Sequence, residues 1–346
     1  MKGTVMSALA LTMVCAAVVP AAARAPARVG ADYVFSGDID AGGPGFWDYL
    51  TLDAASKRLY LAHVDRVTVI DLEHRTIIGA VAPVPRAHDT VIVASVGKGY
   101  ATSGGDGALK VFDLNDFHIV KDIAVGDDAD GAIYDAESGD VVVMTGDSKH
   151  VAIVDPRSDS LVRSIDLPAS PEFAAVDGRG ALYVNLVTTS ELAKIDIASG
   201  RIDAVWPLTG CTSPRGLAYD DARKRLFASC GNKALVVVDA ESGKVVATLP
   251  IGGFSDDVGI DRTRHRVFSP NGDGTLTVIE EEAGDRYRVE RTIPTFLGGR
   301  SMAVDPTSGA LFITHGDTHV KGERTSALEL RFGWDNAEIA TFSPND

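Results

Sequence analysis

An aromatic or β-branched residue opens the same apolar motif seven times along this chain, at Tyr60, Tyr100, Val143, Tyr183, Phe227, Phe268 and Phe312, at intervals of 40 to 44 residues. Between these positions runs an alternating apolar strand that ends in an acid. It closes at Asp71, Asp113, Asp155, Asp196, Asp239 and Glu280, in steps of 41 to 43 residues. A polar turn such as Ala240-Glu241-Ser242-Gly243 follows, and then a further strand such as Lys244–Pro250. Each unit therefore reads as four short antiparallel strands with turn signals between them. Four strands repeated every ~42 residues is the pattern of a β-propeller. Seven such units fill the chain from residue 46 onward, which predicts an all-β, seven-bladed ring. The acid closing each third strand is a turn-former, because a carboxylate there accepts backbone N–H bonds.

The ends modify this picture. Tyr33–Ile39 resembles a fourth strand with no first three before it, so it is expected to be the outer strand of blade seven. That arrangement closes the ring and hides its free edges. Met302–Pro306 and Leu311–His315 open the last unit, and its third strand is either Leu328–Phe332 or Ala337–Phe342. Residues 1–23 read as a signal peptide. Lys2 supplies the positive start, Val5 to Val19 the apolar stretch and Ala21-Ala22-Ala23 the cleavage site, leaving residues 24–346 as a single propeller. The apolar run is short for a membrane span, no later segment is a candidate, and Leu11–Val14 make a poor lipidation site before Cys15. An exported, periplasmic, monomeric protein is expected.

Charge and cysteines narrow the partners. The formal net charge is −15, and a surface this acidic repels phosphate backbones. Nucleic acid and anionic lipid are therefore disfavoured. Cys211 and Cys230 remain after signal removal, and an even count in an oxidising compartment suggests a disulfide. The hairpin of Arg215–Tyr219 and Arg225–Ser229, turning at Asp220–Lys224, brings the two cysteines opposite one another at its open end. No further Cys or nearby His completes a zinc set with them.

Gly216–Gly252 shows the unit best, with Arg225-Leu226-Phe227, Val236-Val237-Val238-Asp239 and Gly243-Lys244-Val245-Val246 in series. Together with Asn271–Val278 and Pro171-Glu172-Phe173 it resembles the YVTN-repeat propellers, in the branch similar to the bacterial periplasmic YncE-like proteins. The resemblance spans essentially the whole mature chain. It implies a seven-bladed ring whose binding face lies at the loops leading into the inner strands. Some relatives are reported to bind DNA, a property that the acidic charge here opposes.

Aligning the inner strands exposes a candidate site. Five residues before Asp53, Ala94, Asp135, Asp177, Asp220, Asp261 and Asp305 stand Asp48, Asp89, Asp130, Glu172, Arg215, Asp256 and Arg300. Charged residues make up 23% of the chain, so a charge at all seven equivalent positions exceeds what composition supplies. Inner-strand starts converge on one mouth of the channel, giving a ring of formal charge −3. Converging carboxylates raise one another's pKa unless cations offset them, so this mouth suits a cationic or hydroxyl-rich ligand, or a metal. The plainer reading is a set of mutual salt bridges that seals the ring.

Histidines add a metal possibility. His63 and His315 each lie three residues after the opening aromatic, in blades that become neighbours on closure. His88 adjoins Asp89, and His319 follows His315 in an expected loop. Such residues could hold Zn, Mn or Fe. His74, His118, His150 and His265 read as surface or turn residues.

No GxSxG elbow, CxxCH haem attachment, P-loop or HExxH appears. Gly104–Gly107 and Asn271–Gly274 lack the full calcium-loop pattern and read as hairpin turns. The leading expectation is a non-enzymatic binding or scaffold protein, with no cofactor evident, holding a small molecule or a protein at the channel mouth. The alternative is a metal-dependent, lactonase-like hydrolase using the same mouth. A redox-associated propeller is disfavoured because no cofactor attachment motif is present.

Overall fold

The repeat folds into seven four-stranded antiparallel sheets arranged as blades around a ring. The structure is a computed structural model that describes residues 33–321 and 331–345, with side chains for 33–316 and 336–345. The expected signal peptide and Cys15 lie outside the described residues. Among the described residues, no helix is long and apolar enough to cross a membrane.

Blade one shows how the pattern is used, with strands Trp47–Asp53, Arg58–His63, Arg66–Asp71 and Thr76–Val81 in spatial order. The middle two strands are buried on both faces, because neighbouring blades stack on either side of each sheet. Fourth strands face solvent on one side and alternate, as Arg201–Pro207 does throughout its length. Seven apolar clusters result, one in every crease between adjacent blades. Blade six packs on blade seven through Phe268, Val278 and Met302, and blade seven packs on blade one through Ile339, Trp47 and Leu61.

The turn acids behave as their position predicts. Backbone N–H groups of the following turns donate to Asp71, Asp113, Asp155, Asp196 and Asp239 at 2.7–2.9 Å. Glu280 differs, because its strand runs on as Asp273–Glu282 and its carboxylate pairs with Arg266 instead.

Closure follows the expected route. Tyr33–Asp40 pairs antiparallel with Arg331–Pro344, from Tyr33 opposite Pro344 to Asp40 opposite Glu338. This makes it the outer strand of blade seven, whose sheet holds the N-terminal strand, Arg331–Pro344, Leu311–Lys321 and Met302–Val304. Ala337–Phe342 is the part paired with Leu311–Gly316, so it supplies the third strand. Residues 328–330 lie outside the described residues. His319 falls in a strand opposite Gly333 rather than in a loop, and its side chain is outside the described set.

Cys211 and Cys230 form a disulfide with Cα atoms 5.4 Å apart. The bond ties the loop that leads into Pro214–Asp220 to the end of Arg225–Cys230, where Pro214 pairs with Cys230.

Candidate functional site

In blades one to five the inner strand begins with an irregularity in its pairing. Trp47 pairs with His63 but Leu50 with Leu61, so the inner strand fits two residues, Asp48 and Tyr49, opposite one. The same one-residue excess follows Ala87, Ala129, Pro171 and Pro214. A bulge of this kind interrupts the regular alternation and re-aims side chains. In these five blades the first bulge residue belongs to the upper ring at the channel mouth and the second to a tier below it; Asp256 and Arg300, with Asp257 and Ser301, hold the equivalent register in blades six and seven, just before their inner strands.

This register corrects one member of the expected ring. In blade two Val93 pairs with Lys98 as Asp53 pairs with Arg58, so the strand ends at Val93, and Ala94 already starts a short 3-10 turn. Counting from Ala94 slips by one residue, and in a strand one residue changes the direction of the side chain. The ring position of blade two is therefore His88, and Asp89 belongs to the tier below. The upper ring consists of Asp48, His88, Asp130, Glu172, Arg215, Asp256 and Arg300, with two guanidinium groups and one imidazole against four carboxylates.

Its charges are segregated. On the side of blades four to seven, Arg215 Nη1 lies 2.6 Å from Glu172 and its Nε 3.7 Å from Asp256, while Arg300 Nη1 reaches Asp256 at 2.9 Å. Phe46, from the approach to blade one, lies under the Arg300 guanidinium, 4.9 Å from ring centroid to Cζ. On the side of blades one to three, His88 Nδ1 is 2.6 Å from Asp48 Oδ2 and 3.5 Å from Asp130 Oδ1. No Lys or Arg forms an ion pair with Asp48 or Asp130 among the described residues. Behind His88, Asp128 is held by Arg86 at 2.8 Å.

These surroundings set the protonation of the mouth. Burial pushes the Asp130 carboxyl well above its usual range; His88 opposes this, and Asp48 and Glu172 add to it. Asp256 and Glu172 are also raised by burial, against the pull of their arginines. Burial alone would depress His88, but its hydrogen bond to Asp48 and the nearby Asp130 charge carry its pKa above the ordinary imidazole value.

The tier below contains Tyr49, Asp89, Gly131, Phe173, Gly216, Asp257 and Ser301. The Tyr49 and Phe173 rings meet across the channel with centroids 4.7 Å apart and form a floor under the mouth. Beneath that floor a cavity of about 420 Å³, lined by Tyr49, Asp89, Phe173 and Asp257, runs toward the opposite ends of the inner strands. Gly216 is required here, because a Cβ would stand 2.4 Å from the Asp257 backbone.

Asp89 and Asp257 do the same work two-sevenths and six-sevenths of the way around the ring. Asp89 accepts the N–H of Ala132 at 3.0 Å and that of Thr90 at 2.7 Å, which joins blade two to blade three. Asp257 accepts the N–H of Met302 at 3.0 Å and that of Val258 at 2.7 Å, which joins blade six to blade seven. Burial lifts their carboxyls to about 7 and about 6, although the N–H bonds pull the other way.

The Asp257 shift has a measurable consequence. Between the ordinary carboxyl value and about 6, the folded chain keeps a proton that the unfolded chain has released. The resulting stabilisation is full below the unfolded pKa and lost as pH rises through the folded one. From pH 8 to pH 5 this group is expected to add roughly 1–2 kcal/mol to stability. Denaturant unfolding of Asp257→Asn at both pH values should show that increment missing; an unchanged increment would rule out Asp257 as its source.

His63 and His315 are not drawn into the mouth. His63 is buried near the Pro44 carbonyl, and burial together with Arg66 lowers its pKa. His315 Nε2 lies 2.9 Å from Asp38, and its ring stacks on Phe296 with centroids 3.9 Å apart. Among the described residues, two groups of three metal-binding side chains converge, Asp38 with His315 and Glu338, and Asp48 with His88 and Asp130. His63 belongs to neither.

No protein-family model matches the chain, and no curated protein matches it by sequence. Its structure is similar to one titled Kuenenia stuttgartiensis hydrazine synthase, with a TM-score of 0.69 and 17% identity over 80% of this chain and 94% of that one. At this identity the likeness concerns the fold. The chain is a seven-bladed propeller.

Proposed function

We propose that this protein is an exported, periplasmic binding propeller of the YVTN-repeat, YncE-like kind, acting as a monomer. Its charged mouth would hold a small cationic or hydroxyl-rich ligand, or a protein partner presenting such groups. The observation that carries this reading is the bulge shared by blades one to five, which turns polar side chains onto one mouth above an aromatic floor. A ring meant only to seal the channel would pair its charges throughout. Here the arginines serve Glu172 and Asp256, and the Asp48 and Asp130 carboxylates are left with one imidazole. The acidic charge supports neither nucleic acid nor anionic lipid as the partner.

The test is a thermal-shift panel of polyols, amines and short basic peptides in the presence of a chelator. At about one hundred times its Kd, a ligand is expected to stabilise the protein by roughly 2.7 kcal/mol. The Asp130→Asn/Asp256→Asn double variant should lose that shift while remaining folded. If no class stabilises the wild type, the ring is structural and the reading fails.

One observation favours a second reading, a metal-dependent hydrolase of the lactonase kind. The convergence of Asp48, His88 and Asp130 could supply a Lewis acid at the mouth. Absence of lactone turnover by protein whose metal content has been measured and restored would remove this reading and leave the first.

A further inference from the structure

We propose that Asp48, His88 and Asp130 form a divalent metal site, selective for an ion of the Zn²⁺ or Mn²⁺ class, with Asp128 as its outer carboxylate. The inference rests on the mouth being a binding site and specifies what one side of it binds.

Three successive blades each contribute one donor, and the donor atoms lie within 4.8 Å of one another. Metal bonds of about 2.0–2.2 Å to nitrogen and oxygen place neighbouring donors roughly 3–3.5 Å apart around a tetrahedral ion. His88 Nδ1 and Asp130 Oδ1 already stand at 3.5 Å. Asp48 Oδ2, at 2.6 Å from Nδ1, needs to open by less than an ångström to make room for the ion.

Two further observations point to a ligand. The first is the far nitrogen of His88. The residue is only 7% exposed, and its Nε2 has no hydrogen-bond partner. When Nδ1 coordinates a metal, the ring proton resides on Nε2, and metal-bound histidines almost always donate that proton to a carboxylate, a backbone carbonyl or water. Asp128 Oδ1 lies 3.8 Å from Nε2, fixed from behind by Arg86. A metal-bound imidazole carries its proton on Nε2 and so turns it toward Asp128, as an imidazolium held between Asp48 and Asp128 also would; the metal titration below separates the two.

The second is Tyr49. The residue is only 5% exposed, and its hydroxyl makes no hydrogen bond among the described residues. Its ring meets that of Phe173 in the floor under the mouth. A hydroxyl without a protein partner at that floor is free to meet the water or bound molecule that would complete the coordination.

The donor set indicates the ion. One imidazole and two carboxylates without thiolate suit Zn²⁺ or Mn²⁺ and not Cu(I), and the imidazole is foreign to an all-oxygen Ca²⁺ cage. The two guanidinium groups of the ring, Arg215 and Arg300, pair with Glu172 and Asp256 and not with the three donors, while Arg86 pairs with Asp128 behind them.

Isothermal titration of the chelator-stripped mature protein with ZnCl₂ and MnCl₂ tests this. Stoichiometric one-to-one binding of at least one ion is expected. His88→Ala and the near-isosteric Asp130→Asn should each weaken it at least 100-fold, and Asp128→Asn about 10- to 100-fold. Asp71→Asn, which alters an exposed Asp–His pair elsewhere, should bind as wild type does. Circular dichroism melts of each variant establish that it is folded, and Asp130→Asn carries the test should His88→Ala not fold. Absence of stoichiometric binding by the wild type, or equal binding by folded Asp130→Asn, overturns the site. Because the thermal-shift panel contains a chelator, that outcome leaves the broader binding reading to be decided separately.

Discussion

A chain lacking residues 33–40 is expected to lose its cooperative unfolding transition. That segment is the outer strand of blade seven, and Tyr33 and Ile39 are buried within it. Tyr33 sets its ring edge-on against Phe268 of blade six at 5.1 Å, and Phe35 lies 5.7 Å from Phe342. Burial of such side chains contributes about 1.5–3 kcal/mol each, set against a net stability of roughly 5–15 kcal/mol for a whole domain. Deletion also removes Asp38 from the buried His315 and exposes the full edge of Arg331–Pro344. An open edge of this length pairs with other chains. Size-exclusion chromatography should therefore show self-association, and circular dichroism a broad melt. The point variant Ile39→Ala should remain folded but lose about 2–5 kcal/mol. A truncated chain that elutes and melts as the full chain does would show that the closing strand is dispensable.

That strand was legible in the sequence because Tyr33–Ile39 repeats the fourth-strand pattern and has no partners of its own before it. The rest of the ring was legible for the same reason: one supersecondary unit must bury both faces against its neighbours, so its apolar pattern recurs in every blade. The last blade departs from the rule. Its second and third strands extend to Leu311–Lys321 and Arg331–Pro344, well beyond the six or seven residues usual in the other blades. Excess strand length offered two candidate third strands, and only pairing decides between them.

The mouth was legible as a register and misread in one blade. Acids mark the end of most inner strands, but in blade two Val93 fills that place and Ala94 begins a 3-10 turn. Without the acid, the count shifted from His88 to Asp89. The floor was hidden for a different reason. Tyr49 and Phe173 follow ring residues, and in a regular strand they would point away from them. In blades one to five the bulge brings both tiers to the channel, and a bulge is a property of the pairing between strands. His63 and His315 occupy equivalent places in the repeat, yet they sit at or near the ends of second-strand motifs, behind the inner strands that form the mouth. Among the described residues His315 gathers with Asp38 and Glu338, and His63 belongs to neither group of metal-binding side chains.

Removal of the disulfide should cost about 3 kcal/mol, the amount expected when the closed loop it enforces in the unfolded chain spans about 20 residues. Cys211 and Cys230 are separated by 19 positions. Both are buried in the crease between blades four and five, beside Leu208, Leu217 and Leu226. The Cys211→Ser/Cys230→Ser double variant and the reduced wild type should show the same loss in denaturant unfolding, because each releases the same loop. A smaller loss in the reduced wild type would assign part of the effect to the serine hydroxyls placed in an apolar crease. Equal stability of all three forms would show that packing alone fixes the loop. The bond also bears on the mouth. It anchors the segment just before Pro214 and Arg215, so its removal should loosen the Arg215–Glu172 pair before the Asp48–His88–Asp130 side is affected. Metal binding by the reduced protein should then survive conditions under which ligand binding at the arginine side weakens. A protein that gains this much from one cross-link is best served where thiols are oxidised, which is the physical argument for the exported location proposed above.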